Sequence, residues 1–164
     1  MMLFRRFLPV IRTFKREELS LKTSGRRDVI DITDDIDRLI KTKGLVNGVI
    51  HVRALHTTAG VLEQENEPMF HEDLFDRLDQ IAPPDGDYKH DKIGTLRTVN
   101  VCDDECANGW AHIQRSFIPN YVLVQVYDGL RIQGRWDRVL LLEFDSARPR
   151  KISLLFDGEF IEPK

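Results

Sequence analysis

Histidines, cysteines and a late group of arginines are the side chains of this 164-residue sequence best suited to chemistry near neutral pH. Histidine changes charge between pH 5 and 8, and neutral imidazole is the commonest metal ligand. His56 extends the face of a strand-like run that carries Ile50, Val52 and Ala54, and it leads into Thr57-Thr58-Ala59-Gly60. That segment is small, polar and flexible, which suits close approach by a ligand. A lone histidine in this place is more often a core residue held by hydrogen bonds. His90 follows Tyr88 in a stretch without periodicity, and His112 lies on a short helical segment beside Asn108 and Trp110. No compact motif such as H-E-x-x-H joins the three. Spacing alone leaves open whether they meet, because zinc ligands can come from distant segments and so can unrelated histidines. His51 and His71 read as edge or surface residues.

Cys102 and Cys106 make one C-x3-C pair, without the second pair that a structural zinc module needs, and read as reduced thiols of a cytosolic protein. Glu143 sits inside Val139-Leu140-Leu141-Leu142-Glu143-Phe144-Asp145, a run typical of a strand buried on both faces. A carboxylate there requires a cation, a metal or strong donors, and Arg148 and Arg150 are at hand. A structural ion pair and a role in a site both satisfy that requirement. Arg131, Arg135, Arg138, Arg148, Arg150 and Lys151 cluster late in the chain. They can gather at one sheet edge to hold a phosphorylated small molecule, or form ordinary solvated surface. The sequence has no Walker loop, no G-x-G-x-x-G and no G-x-S-x-G, which removes nucleotide-binding and hydrolase-elbow readings.

The length fits one domain, and a hydrophobic share of 41% with 31% charged residues excludes a wholly disordered chain. A net charge of -3 offers no basic field for nucleic acid or acidic membrane, and no uncharged apolar stretch approaches the roughly 20 residues that span a bilayer. Arg5 and Arg6 interrupt the apolar N-terminus, against a secretory signal. Residues 1–9 read as an extension and 10–160 as the folded domain. Strands are predicted over 10–22, 48–56, 121–126, 130–133, 138–144 and 151–156, with an Asp128-Gly129 hairpin turn. Thr33 is placed to cap a helix carrying Ile36, Leu39 and Ile40 and stopped by Gly44. Pro68 opens a second helix, with Phe70, Leu74, Leu78 and Ile81 as its apolar stripe, and a third lies between Asn108 and Phe117. Residues 87–106 read as a long functional loop. The expected fold is α+β, a mainly antiparallel sheet packed with two to three helices.

Taken in order, His56-Thr57-Thr58-Ala59-Gly60-Val61, Glu65-Asn66-Glu67-Pro68, Tyr88-Lys89-His90-Asp91 and Asn108-Gly109-Trp110-Ala111-His112 resemble the motifs of the YjbQ-like family, also known as the secondary thiamine-phosphate synthase family. The resemblance continues through Gly134-Arg135-Trp136-Asp137 and Glu143-Phe144-Asp145 to Arg148-Pro149-Arg150, and so covers about residues 10–158. It implies a compact fold around a β-sheet, a homotrimer, and convergence of His56, His90 and His112 with Glu65 in one pocket. Three imidazoles with an open fourth position describe a catalytic zinc centre, so the resemblance implies a divalent metal, zinc first. Thr57, Thr58 and Asn108 are then expected to orient ligands or bind substrate, and Arg135, Trp136, Arg148 and Arg150 to contact it. Departures fall at Gln64, where the family commonly has Asn, at Trp110, and at Arg135 and Asp137, which replace both polar partners of a Gly-Thr-Trp-Gln motif.

The leading functional expectation is a cytoplasmic enzyme with thiamine-phosphate synthase activity, joining a pyrimidine methyl pyrophosphate to a thiazole phosphate. Metal-assisted hydrolysis with Glu65 as general base suits the same residues. A non-catalytic trimer that binds a metal or metabolite is the alternative, and a purely architectural set of buried histidines is a third reading.

Overall fold

The computed structural model describes residues 11–101 and 106–161 of the chain. The N-terminal extension and Cys102 lie outside them. Two antiparallel sheets and three α-helices form the fold, as the α+β reading anticipates. Strands β1 (Ile11–Lys22), β3 (Leu45–Ala54), β5 (Tyr121–Tyr127), β6 (Leu130–Arg131) and β8 (Pro149–Phe160) make a five-stranded sheet in the order β1-β8-β3-β5-β6. Strands β2 (Val29–Asp31), β4 (Ala59–Glu65) and β7 (Asp137–Glu143) make a three-stranded sheet with β7 in the middle.

The alternation of β7 explains the layering. Val139 and Leu141 point into a core shared with Ile50, Val52, Val124, Ile152, Leu154 and Phe156 of the larger sheet. Leu140 and Leu142 point the other way, into a second core with Phe75, Leu78, Trp110, Ala111 and Ile118. Those residues come from helices α2 (Pro68–Ile81) and α3 (Gly109–Ser116) and from the turn after α3. The small sheet is therefore the middle layer, buried on both faces between the large sheet and the two helices. Helix α1 (Thr33–Lys43) closes the first core with Ile36 and Ile40. The outer face of the large sheet carries His51, Leu55, Tyr121, Leu123, Tyr127 and Leu155, and among the described residues no layer covers it. No helix among them is long and apolar enough to cross a membrane.

Local details differ from the sequence expectations in instructive ways. Thr33 is the first helical residue rather than the cap: its Oγ1 accepts the Val139 N–H at 2.8 Å, while Asp31 Oδ1 accepts the Thr33 N–H at 2.9 Å. Gly44 ends α1 as expected, in the left-handed conformation with φ +73°. The stripe of α2 runs through Leu74, Phe75 and Leu78, and Ile81 is left exposed. Strands β2 and β4 fall outside the sequence expectations: β2 has only three residues, and β4 opens on the consecutive buried Ala59, Gly60 and Val61, so neither shows an alternation of apolar and polar residues.

Candidate functional site

A cavity of about 1000 Å³ opens at the end of the small sheet where β4 begins and β7 leaves. Leu55, His56, Thr57 and Thr58 reach it from the turn between β3 and β4. Ser146, Arg148 and Arg150 reach it from the segment joining β7 to β8. His90, Arg97, Val99, Asn100, Cys106, Asn108 and His112 fold over it from the long loop and α3. The structure thus brings His56, His90 and His112 to one cavity, with Thr57, Thr58, Asn108, Arg148 and Arg150 among its walls.

The floor is a buried ion pair. Glu143 has no exposed surface, and Arg150 grips it with Nε at 2.6 Å and with Nη2 on the other carboxylate oxygen. Thr23 Oγ1 donates to Glu143 at 2.9 Å and the Asp145 N–H donates at 2.9 Å, so the carboxylate is fully satisfied. Arg150 Nη2 also donates to Thr58 Oγ1 at 3.1 Å. The two readings of Glu143 merge: it is a structural ion-pair partner, and what it holds is a cation of the cavity. Arg148 is held likewise, by Asp145 at 2.6 Å, Ser146 Oγ at 3.1 Å and Cys106 Sγ at 3.3 Å.

One carboxylate docks the remaining wall. Asp91 Oδ1 accepts the N–H groups of Asn108 at 3.0 Å and Gly109 at 2.9 Å, satisfying two donors at the start of α3. The same oxygen lies 3.3 Å from His90 Nδ1. Gly109 has to be glycine here, since a Cβ would lie 2.6 Å from Tyr88 Cβ. His90 and His112 are thereby brought ring to ring, with centroids 4.6 Å apart. Asn108 Nδ2 donates to the buried Asp145 at 3.0 Å. His56 is fixed from the other side, its Nε2 accepting the Lys151 N–H at 2.7 Å. Burial and the neighbouring Arg150 charge hold its imidazole below the ordinary histidine value.

Three predicted residues do not join the cavity within this chain. β4 and β7 are antiparallel, pairing Ala59 with Glu143 at the cavity end and Glu65 with Asp137 at the other. Six residues of strand place Glu65 about 20 Å away. Arg135 and Trp136 lie at that far end too, stacked on each other with the guanidinium 4.7 Å from the ring. Trp110 is no pocket residue either: it is buried in the second core under the Arg26 guanidinium, 5.1 Å above its ring. Sequence reasoning missed Arg97, Ser146 and the two supporting carboxylates, Asp91 and Asp145. The signal for both acids was their position within the histidine and Glu-Phe-Asp motifs.

A three-histidine metal centre requires each ring to aim a lone pair at one point. His56 commits Nε2 to the Lys151 amide, and a neutral ring then carries its proton on Nδ1. Among the described residues, no three His, Cys, Asp or Glu side chains are grouped as a metal site would group them. The donor set as placed therefore does not fit the zinc centre expected from the resemblance.

Comparison with known proteins gives a consistent picture. A family model described as UPF0047 protein YjbQ-like matches residues 17–159. A UPF0047 protein of Archaeoglobus fulgidus is 33% identical over 82% of this chain and 95% of its own length. The UPF0047 protein YugU of Bacillus subtilis is 29% identical over 80% of this chain and 91% of its own. Among solved structures, a YbjQ-like protein of unknown function from Sulfolobus solfataricus aligns with TM-score 0.78 and 25% identity, covering 91% of this chain and all of that one. A hypothetical protein from Aeropyrum pernix aligns with TM-score 0.76 and 31% identity over 88% of this chain and 99% of that one.

Proposed function

Because the chain belongs to the UPF0047 family of YjbQ-like proteins, we propose that its cavity binds a phosphorylated small molecule and transfers a group from it, in a reaction of the thiamine-phosphate synthase class. The observation that carries this reading is the charge of the walls. Arg97, Arg148, Arg150 and three imidazoles line the cavity, and none of its described lining residues is acidic. The Glu143 and Asp145 carboxylates that hold Arg150 and Arg148 lie behind them, engaging Nε and Nη2 of Arg150 and Nη2 of Arg148. Among the described residues no hydrogen-bond partner meets Nη1 of either arginine, and a guanidinium presents its donors in the planar fork that matches phosphate oxygens.

In such a transfer the pyrimidine methylene C–O bond breaks, its electron pair leaves with pyrophosphate, and the thiazole nitrogen forms the new C–N bond. Fixed cations that stabilise the departing pyrophosphate supply the main catalytic effect, and no reorganisation is needed at the moment of reaction. His90 and His112 are the groups placed to move protons. The protein acts as a cytoplasmic homotrimer in this reading.

Isothermal titration of chelator-treated protein with inorganic pyrophosphate tests the proposal. Saturable binding, weakened about tenfold or more in Arg148→Ala, is the expected result. Incubation with the two phosphorylated substrates should then release pyrophosphate and form product, in the chelator's presence. Absence of pyrophosphate binding would overturn the phosphate reading. Binding without turnover of any phosphorylated substrate favours a metabolite-binding protein instead.

A further inference from the structure

We infer that His56 is a fixed, neutral hydrogen-bond donor to the cavity's ligand, presenting Nδ1–H, and is neither a metal ligand nor a proton-transfer base. The inference rests on the cavity being a phosphate site. A ring nitrogen that accepts a hydrogen bond carries no proton, and Nε2 accepts the Lys151 N–H at 2.7 Å. The ring is then neutral and its one proton is on Nδ1. An N–H on Nδ1 has no lone pair to offer a metal or a substrate proton.

The backbone enforces this choice. Leu55 N–H donates to Lys151 O at 3.0 Å and Lys151 N–H donates to His56, so β8 holds the end of β3 through main-chain groups that cannot change their protonation. Burial, and then the charge of Arg150 adjacent to Lys151, makes a positive charge on the ring unfavourable. Nδ1 has no partner among the described residues, and it is not among the buried polar atoms left unsatisfied. His56 is half-buried in the cavity wall between Leu55 and Thr57, so that N–H is available to a ligand. A neutral donor beside the two arginines binds an anionic oxygen without adding charge. It is placed to read where on the phosphate an oxygen sits, while Arg148 and Arg150 supply the attraction.

Two measurements on the full chain test the inference. Long-range proton–nitrogen spectra of ¹⁵N-histidine-labelled protein should show His56 in the Nδ1–H tautomer, unchanged by one equivalent of zinc. An Nε2–H tautomer, or a zinc-induced shift of the His56 nitrogens, overturns it. Binding of inorganic pyrophosphate supplies the second readout. Glutamine sets an acceptor near the Nε2 position and loses the Nδ1 donor, whereas asparagine sets its amide nitrogen near Nδ1. His56→Gln should bind pyrophosphate about tenfold or more weakly, the size of a lost hydrogen bond to a charged group, and His56→Asn should stay close to wild type. Equal binding by His56→Gln and wild type, or the reverse ranking, sinks the role of His56 and leaves the phosphate site standing. A wild type that binds no pyrophosphate overturns both.

Discussion

A carboxylate with no exposed surface survives at position 143 because every lone pair it presents is met by a donor. Removing the charge opposite it is a different matter from removing both. Arg150→Met keeps a side chain of similar length but leaves Glu143 without its cation in a buried floor, with only the Thr23 hydroxyl and the Asp145 amide for company. Such a change is expected to lower stability by about 3–5 kcal/mol, read as a shift in the urea midpoint at unchanged slope. Adding Glu143→Gln should recover a large part of that loss, since a neutral amide can accept from the Asp145 N–H and donate to the Thr23 hydroxyl at far lower desolvation cost. Recovery of stability without recovery of pyrophosphate binding would separate the two duties of Arg150, holding the floor and facing the ligand. If Arg150→Met alone were neutral, the floor would not be the buried ion pair described above.

At the scale of elements, the segment Thr57-Thr58-Ala59-Gly60 shows where sequence reasoning succeeds and where it stops. Its small residues announced a close approach, and the structure shows what approaches. A Cβ on Gly60 would lie 2.8 Å from Pro119 O and 2.9 Å from Ile118 Cγ2, while the Val61 N–H reaches Pro119 O at 3.0 Å. The close neighbour is the turn after α3, and the ligand surface is left to His56, Thr57 and Thr58. Gly60→Ala should therefore destabilise the protein by about 1–3 kcal/mol through overpacking, measured by chemical denaturation, with pyrophosphate affinity nearly unchanged. A loss of affinity with stability intact would instead put the ligand against Gly60. Strands of the large sheet were legible because one face is apolar, as with Ile50, Val52 and Ala54. β4 was not, because Ala59, Gly60 and Val61 are consecutive and all buried. The convergence of His56, His90 and His112 was readable only through the ordered motifs, since no local spacing connects them. The antiparallel ladder that carries Glu65 to the far end of β4 has no signature in the motif itself.

For the whole molecule, the question is what covers the outer face of the large sheet. Tyr121 is 54% exposed, Leu123 48% and Leu155 37%, and they project from β5 and β8 of one sheet together with Tyr127 of β5 and Leu55 just past the end of β3. Exposed aromatic and aliphatic side chains gathered around His51 on an uncovered sheet face suit an interaction surface, and a second and third copy of the chain are its proposed occupants. A stable interface needs about 800 Å² from each partner. Light scattering on the eluting protein should give three times the 19.1 kDa chain mass, and Leu123→Glu with Leu155→Glu should reduce it to one. A wild type that runs at the chain mass at micromolar concentration would end the trimer reading. The charged variant carries a further consequence. Of the side chains named on this face only Leu55 also lines the cavity, so the monomer is expected to bind pyrophosphate within a few-fold of wild type. Loss of binding in a folded monomer would mean that a neighbouring copy completes the site.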